Sequence, residues 1–144
     1  MWRYLAGMLA WVPAELEAQL QRDAGLTHFG YWVLAALSEA PRRSRRMSEL
    51  AAMVHGSQSR LSHVVGKLER QGWVRRERTA EDGRGSVAVL TDAGYAKIAA
   101  SAPGHVATVR SLIFEALTPE QVDQLEDISR ALLERISDGP SHLP

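Results

Sequence analysis

The segment MSELAAMVHGSQSRLSHVVGKLERQG, residues 47 to 72, constrains this chain more than any other stretch. It reads as two helices parted by His55-Gly56, with room between them for a tight turn only. The first helix is short, with Ser48 as its expected N-cap, Glu49 in the first turn, and Leu50, Ala51, Met53 and Val54 as its apolar positions. The second starts at about Ser57 or Gln58 and gathers Leu61, Val64, Val65 and Leu68 on one stripe. Gly72 stands where a left-handed C-cap belongs. Two extended runs follow at once, WVRRER and SVAVL, joined by a glycine-rich tip that carries Asp82-Gly83-Arg84. Two helices about a glycine-containing turn make a helix-turn-helix, and the hairpin directly behind makes it winged.

The flanks are helical. Leu5, Met8, Leu9, Val12, Leu16 and Leu20 recur at helical spacing over the first ~22 residues. Pro13 interrupts them, as a kink or as a break after a short leading turn. Thr27 can cap a second helix, His28 to Glu39, with Trp32, Val33, Ala36 and Leu37 as its buried stripe, ended by Ala40-Pro41. The run RRSRRM links it to the short third helix. After the hairpin, Thr91-Asp92 opens a fifth helix whose pattern runs on past Pro103-Gly104 to about Leu117. A sixth opens with Thr118-Pro119-Glu120-Gln121, a capping box with proline in the first turn. The expected fold is mainly α with a small β-hairpin wing. Residues 1–26 and 91–137 supply helices for dimerisation, 27–90 the winged helix-turn-helix lobe, and 138–144 a loose tail. Apolar positions such as Ile98, Val106, Val109, Leu112, Ile113, Leu125 and Leu132 exceed what a small winged core can bury. A second copy would cover them, and monomer core packing is the alternative.

The net charge of zero conceals a sorting of charge along the chain. Residues 42 to 86 hold eleven Lys/Arg against five Asp/Glu, whereas the remainder holds six against twelve. A basic middle between acidic flanks suits one surface that meets a polyanion. In a helix-turn-helix the second helix enters the major groove by its N-terminal residues. With its apolar stripe turned inward, that helix presents Gln58, Ser59, Arg60, Ser62 and His63 to base edges, and Lys67 and Arg70 to phosphates. Gly66 weakens the helix by roughly 1 kcal/mol relative to alanine, which points to a close approach of backbone or partner. A wing beside such a helix falls over the minor groove, where Arg84 on a slim tip can enter. Asp82 is placed to hold that guanidinium or to close the turn. The expected partner is double-stranded DNA. The competing reading is a winged-helix interaction module that docks an acidic protein.

The residues that carry this reading also carry a resemblance. DGRGSVAVLTDAG resembles the wing signature of the MarR family of bacterial transcriptional regulators, and SRLSHVVGKLERQGWVRRE is similar to that family's recognition helix and first wing strand. LTHFGYWVLAAL and MSELAAMV match its second and third helices. The resemblance implies a homodimer reading a palindrome, with Arg84 in the minor groove and Asp82 its salt-bridge partner. His63 stands where an arginine is common in the family. It also implies repression by default, and release from DNA by phenolic or other aromatic ligands bound between dimer core and DNA lobe. Trp11, His28, Tyr31 and Trp32, with Trp2, Tyr4 and His105, are the aromatics available to such a pocket.

Other chemistries find no support in the residues. Zero cysteines exclude disulfides and thiol sensing, and the five histidines show no short ligand spacing, so no metal or cofactor is expected. No phosphate-binding loop, nucleophile elbow or HExxH is present, and an enzyme is not expected. The longest apolar runs, such as Tyr31 to Leu37, are too short for a membrane span. The N-terminal MWRYLAGMLAWVP runs smoothly into a polar helix, which favours structure over a secretory leader and the cytoplasm as the compartment.

Overall fold

The computed structural model describes residues 1–78 and 85–137. The expected wing-tip pair, Asp82 and Arg84, and the expected loose tail lie outside the described residues. The element order is α1 (Trp2–Ala24), α2 (His28–Ser38), β1 (Ser44–Arg46), α3 (Met47–Met53), α4 (Gln58–Arg70), β2 (Val74–Arg78), β3 (Ser86–Leu90), α5 (Asp92–Leu112) and α6 (Pro119–Ser137). The chain forms two compact units, Met1–Val106 and, from Ala107 onward, the second. The mainly helical winged fold expected from the sequence is present.

In the first unit the core gathers around Leu20, Val33, Leu34, Leu37, Leu50, Leu61 and Val65, all fully buried. Ile98 joins this core, so it is not among the residues left for a second copy to cover. α1 runs unbroken through Pro13. The proline lies on the exposed side, where the Leu9 carbonyl that loses its bond can reach water. Only Leu16, Gln19 and Leu20 of α1 are buried, while Trp2, Tyr4, Leu9 and Trp11 stand in solvent. α2 starts as expected: the Thr27 hydroxyl accepts from the Gly30 amide at 2.9 Å. Trp32 departs from the expected stripe and is 40 % exposed; Phe29, Val33, Leu34 and Leu37 form the buried face.

The RRSRRM linker holds a strand. After a single 3-10 turn at Pro41–Arg43, Ser44–Arg46 pairs antiparallel with β3, giving the order β1-β3-β2. Arg42 and Arg43 both take φ of 54° to turn into it, a left-handed conformation that costs a non-glycine residue about 1–2 kcal/mol. The Arg43 guanidinium is held there by Asp92 at 3.1 Å and by the Tyr95 ring at 3.8 Å. The chain leaves β1 directly into α3, so the N-cap position falls to Arg46, whose side chain does not cap the helix, and Ser48 is already inside the helix. Met53, one of the expected apolar positions of this helix, is 45 % exposed.

The helix-turn-helix break divides its labour unexpectedly. His55, not Gly56, takes the left-handed conformation, with φ of 50°. Gly56 is required for space: a Cβ there would lie 2.6 Å from Cζ of Phe29. Ser57 then caps α4 by accepting from the Arg60 amide at 3.1 Å. Past β3, Thr91 ties three segments together. Its amide donates to the Trp73 carbonyl at 3.0 Å, its hydroxyl to the Gly72 carbonyl at 2.6 Å, and the same oxygen accepts from the Gly94 amide at 3.0 Å. A Cβ on Gly94 would overlap the Trp73 carbonyl oxygen and sit 2.7 Å from Leu90 Cδ1.

In the second unit α5 ends at Leu112, short of the expected Leu117, and a 3-10 turn, Phe114–Ala116, takes its place. The capping box of α6 is formed: the Thr118 amide donates to Gln121 Oε1 at 2.9 Å and the Gln121 amide to Thr118 Oγ1 at 3.3 Å. No residue of α6 is buried, and Ile128, Leu132, Leu133 and Ile136 are exposed.

Two glycines should respond to alanine in opposite directions. At Gly94 the added methyl meets fixed backbone, so Gly94→Ala should lose about 3 kcal/mol. At Gly7, inside α1, nothing lies within 4 Å, and Gly7→Ala should gain about 0.5–1 kcal/mol. Urea unfolding midpoints at unchanged slope check both; a Gly94→Ala protein of wild-type stability would contradict the packing described.

Candidate nucleic-acid interface

α4 sorts its residues cleanly. Leu61, Val65 and Leu68 are buried and Val64 is half-buried, whereas Gln58, Ser59, Arg60, Ser62, His63, Lys67 and Arg70 are exposed. All the expected groove- and phosphate-facing residues of the helix therefore share its solvent side. Arg60 is not free to wander: its guanidinium lies 4.1 Å over the Phe29 ring, the ring that also fills the space beside Gly56. Gln58 borders a 240 Å³ polar notch with Arg46, Ser48 and Ser86, where the starts of α3 and α4 meet β3.

Sequence reasoning missed one member of this face. Arg76 on β2 reaches back to α4, where its Nε and Nη2 meet Glu69 Oε2 at 2.8 and 2.7 Å, and its own amide donates to Glu69 Oε1 at 2.9 Å. Its Nη1 donates to Ser62 Oγ at 3.3 Å. Glu69 is the single acid of α4, and this pairing neutralises it. The signal was present: a lone carboxylate on a basic face needs a cation, and the arginine-rich strand WVRRER follows it. Elsewhere on β2, Arg75 pairs with Glu77 at 2.8 Å on one side of the strand, and Arg78 is exposed.

The expected ligand residues do not converge as a set. His28 and Trp32 meet edge to face at 4.9 Å and border an open 450 Å³ cleft with Glu17, Phe29, His55 and Arg60. Tyr31 is buried and packs instead against the His105 ring at 4.2 Å, and Trp11 is 71 % exposed, outside the cleft lining. His105, itself buried, places Nδ1 3.4 Å from Gln19 Oε1, while Gln19 Nε2 donates to Asp23 at 2.9 Å. The two imidazoles lie 5.6 Å apart, and the His28 amide donates to Glu17 at 2.6 Å. Burial lowers the His28 pKa against the opposing pull of Glu17; burial, then the charge of His28, lowers that of His105. Burial, then Glu39, raises that of Tyr31. Among the described residues no three His, Asp or Glu side chains cluster as a metal site, and no helix is long and apolar enough to cross a membrane.

Comparison with known proteins gives one consistent set of relatives. The family model described as the MarR family matches residues 24–85. The transcriptional repressor MprA of Escherichia coli K12 is 28 % identical over 122 residues, 85 % of this chain and 69 % of MprA. Among solved structures, Sco3205 of Streptomyces coelicolor, a MarR family transcriptional regulator in complex with DNA, is 46 % identical. Its TM-score is 0.92, over 99 % of this chain and 88 % of Sco3205. AbsC, a MarR family transcriptional regulator of the same organism, is 36 % identical with a TM-score of 0.91, over 96 % of this chain and 93 % of AbsC.

The paired histidines set an acid limit on stability. Both titrate below their ordinary 6.5, so the unfolded chain takes up protons that the folded chain resists. Their stabilisation is complete above about pH 6.5 and is lost as the pH falls through the folded-state values. Thermal melting should give a plateau above that pH and a Tm that falls as the pH drops below it. His105→Gln should flatten that fall, and an unchanged slope in the variant would remove His105 as its source.

Proposed function

The chain belongs to the MarR family and is a DNA-binding transcriptional regulator, and from that footing we propose a homodimeric repressor that reads a palindromic operator and releases it on binding a small aromatic ligand. The observation that carries this reading is the solvent face of α4, where every side chain can hydrogen-bond to nucleic acid and the one acid is already paired. In this reading Gln58, Ser59, Arg60, Ser62 and His63 meet base edges, and Lys67 and Arg70 meet phosphates. Asp82 and Arg84 serve the wing, with Arg84 in the minor groove.

The dimer is supported by apolar surface that a single chain leaves in water, Trp2, Leu9 and Trp11 on α1 and Ile128, Leu132 and Ile136 on α6. Segments 1–26 and 91–137 are the proposed dimerisation helices. Two-fold symmetry then sets the recognition helices about one DNA turn apart, roughly 34 Å. Repression is supported by the kinship with MprA. For the ligand, the 450 Å³ cleft offers two aromatic walls, His28 and Trp32, and a cation, Arg60, which suits a small aromatic anion.

Fluorescence anisotropy on the duplex upstream of the protein's own gene, beside a scrambled duplex at two salt concentrations, tests the reading. The promoter duplex should bind at nanomolar level and far more tightly than the scrambled one. Lys67→Ala should weaken binding to both duplexes and reduce the salt slope by about 1, whereas Gln58→Ala should cost about 1–3 kcal/mol on the operator alone. Equal, weak binding to the promoter, the scrambled duplex and every duplex in a random pool would overturn the reading in favour of a module that docks an acidic protein.

A further inference from the structure

Ser62, Gly66 and Glu69 form one row along α4, at spacings of four and three residues. The Arg76 guanidinium lies along that row. Glu69 holds one end of it through Nε and Nη2, and Nη1 donates to the Ser62 hydroxyl at the other. Between them it passes over Gly66, where a Cβ would stand 3.8 Å from Nη2, an ordinary contact distance. Gly66 therefore avoids no clash within the chain. It leaves a bare stretch of helix on which a planar group can rest, and a longer side chain there would contest the path.

This arrangement has a chemical consequence for Ser62. A hydroxyl has one hydrogen to give and two lone pairs. With Arg76 donating to that oxygen, one lone pair is taken and the hydroxyl hydrogen is turned away from the guanidinium, which leaves it available to an acceptor that faces the helix. We propose that Arg76 is a positioning residue for DNA recognition, which fixes Ser62 as a hydrogen-bond donor toward the major groove. The inference rests on the reading of α4 as the groove-facing helix. A donor there is matched by the acceptors guanine N7 and O6, adenine N7 or thymine O4, and is mismatched by cytosine, which offers an amino donor. Ser62 thus discriminates against cytosine at one base of each half-site, and Arg76 makes it do so.

The role needs an arginine. Lysine would keep the charge but has no planar fork to span Glu69 and Ser62 together. Phosphate attraction and serine orientation can therefore be separated by selecting duplexes from a random pool with wild type, Arg76→Lys, Glu69→Ala and Ser62→Ala, and comparing base preferences. Wild type should enrich a palindrome with cytosine depleted at one position per half-site. Ser62→Ala should relax that position by about fivefold, the worth of one hydrogen bond. Arg76→Lys should relax the same position to the same extent while keeping the rest of the preference. Glu69→Ala, which frees the guanidinium from its anchor, should do likewise and stands in if the strand variant folds poorly. A wild-type preference in both Arg76→Lys and Glu69→Ala would overturn the inference, as would a uniform loss of affinity without change of preference. Failure of wild type to enrich any sequence would instead overturn the reading of α4 as a DNA-recognition helix.

Discussion

The recognition half of the molecule depends on where one phenyl ring sits. Phe29, on the buried face of α2, abuts Gly56 on one side so closely that no Cβ fits, and carries the Arg60 guanidinium on another. The ring thus fixes the turn between α3 and α4 and the first exposed cation of α4 together. A tight turn could have been closed by glycine in the left-handed region. Here His55 takes that conformation, at a cost of about 1–2 kcal/mol, and glycine is kept for the place where bulk is forbidden. Packing density leaves no slack in such a contact. A shift of α2 against the turn would therefore move the start of α4 rather than be absorbed.

The other end of the lobe is sealed by backbone rather than by a ring. Thr91 binds the carbonyls of Gly72 and Trp73 and caps α5 through Gly94, so the end of α4, the start of β2 and the end of β3 are joined at one residue. The LTDAG stretch that follows the wing is therefore structural: its glycine is dictated by the Trp73 carbonyl, and its threonine by three bonds. The wing strands spring from this anchored base. That is why Arg76, two residues along β2 from Val74, can hold a fixed place on α4.

Features governed by local chemistry were legible in the sequence. Thr27 and Thr118 cap the helices they were expected to cap, because a hydroxyl at a helix start satisfies amides that nothing else reaches, and Ser57 does the same for α4, whose start was expected at Ser57 or Gln58. The solvent face of α4 followed from its period. Features decided by distant neighbours were not legible. Ser44–Arg46 has no apolar alternation and becomes a strand only because β3 offers it an edge. Ser48 has the right type for a cap but lies past a helix start set by that strand. Trp32 was placed on the buried stripe with Val33, Ala36 and Leu37, yet the apolar face of α2 is filled by Phe29, Val33, Leu34 and Leu37. Arg76 was hidden because its partners lie seven and fourteen residues away on another element.

The same geometry bears on how ligand and DNA could communicate in the proposed regulator. Arg60 and His55 border the cleft beside His28 and Trp32; Arg60 lies on the helix proposed to meet the operator, and His55 in the turn that leads into it. Two sites that share a side chain need no long pathway to be coupled. A ligand that drew the Arg60 guanidinium off the Phe29 ring would weaken DNA binding, and by linkage DNA would weaken the ligand by the same factor. The size of that factor is bounded by how differently Arg60 is placed in the two states. A ligand that contacts only Trp32 and His28, leaving Arg60 and the Phe29–Gly56 contact as they are, would bind without releasing the operator. In the proposed regulator, occupancy of the cleft and release of DNA would thus be separable, and Arg60 would be the side chain that joins them.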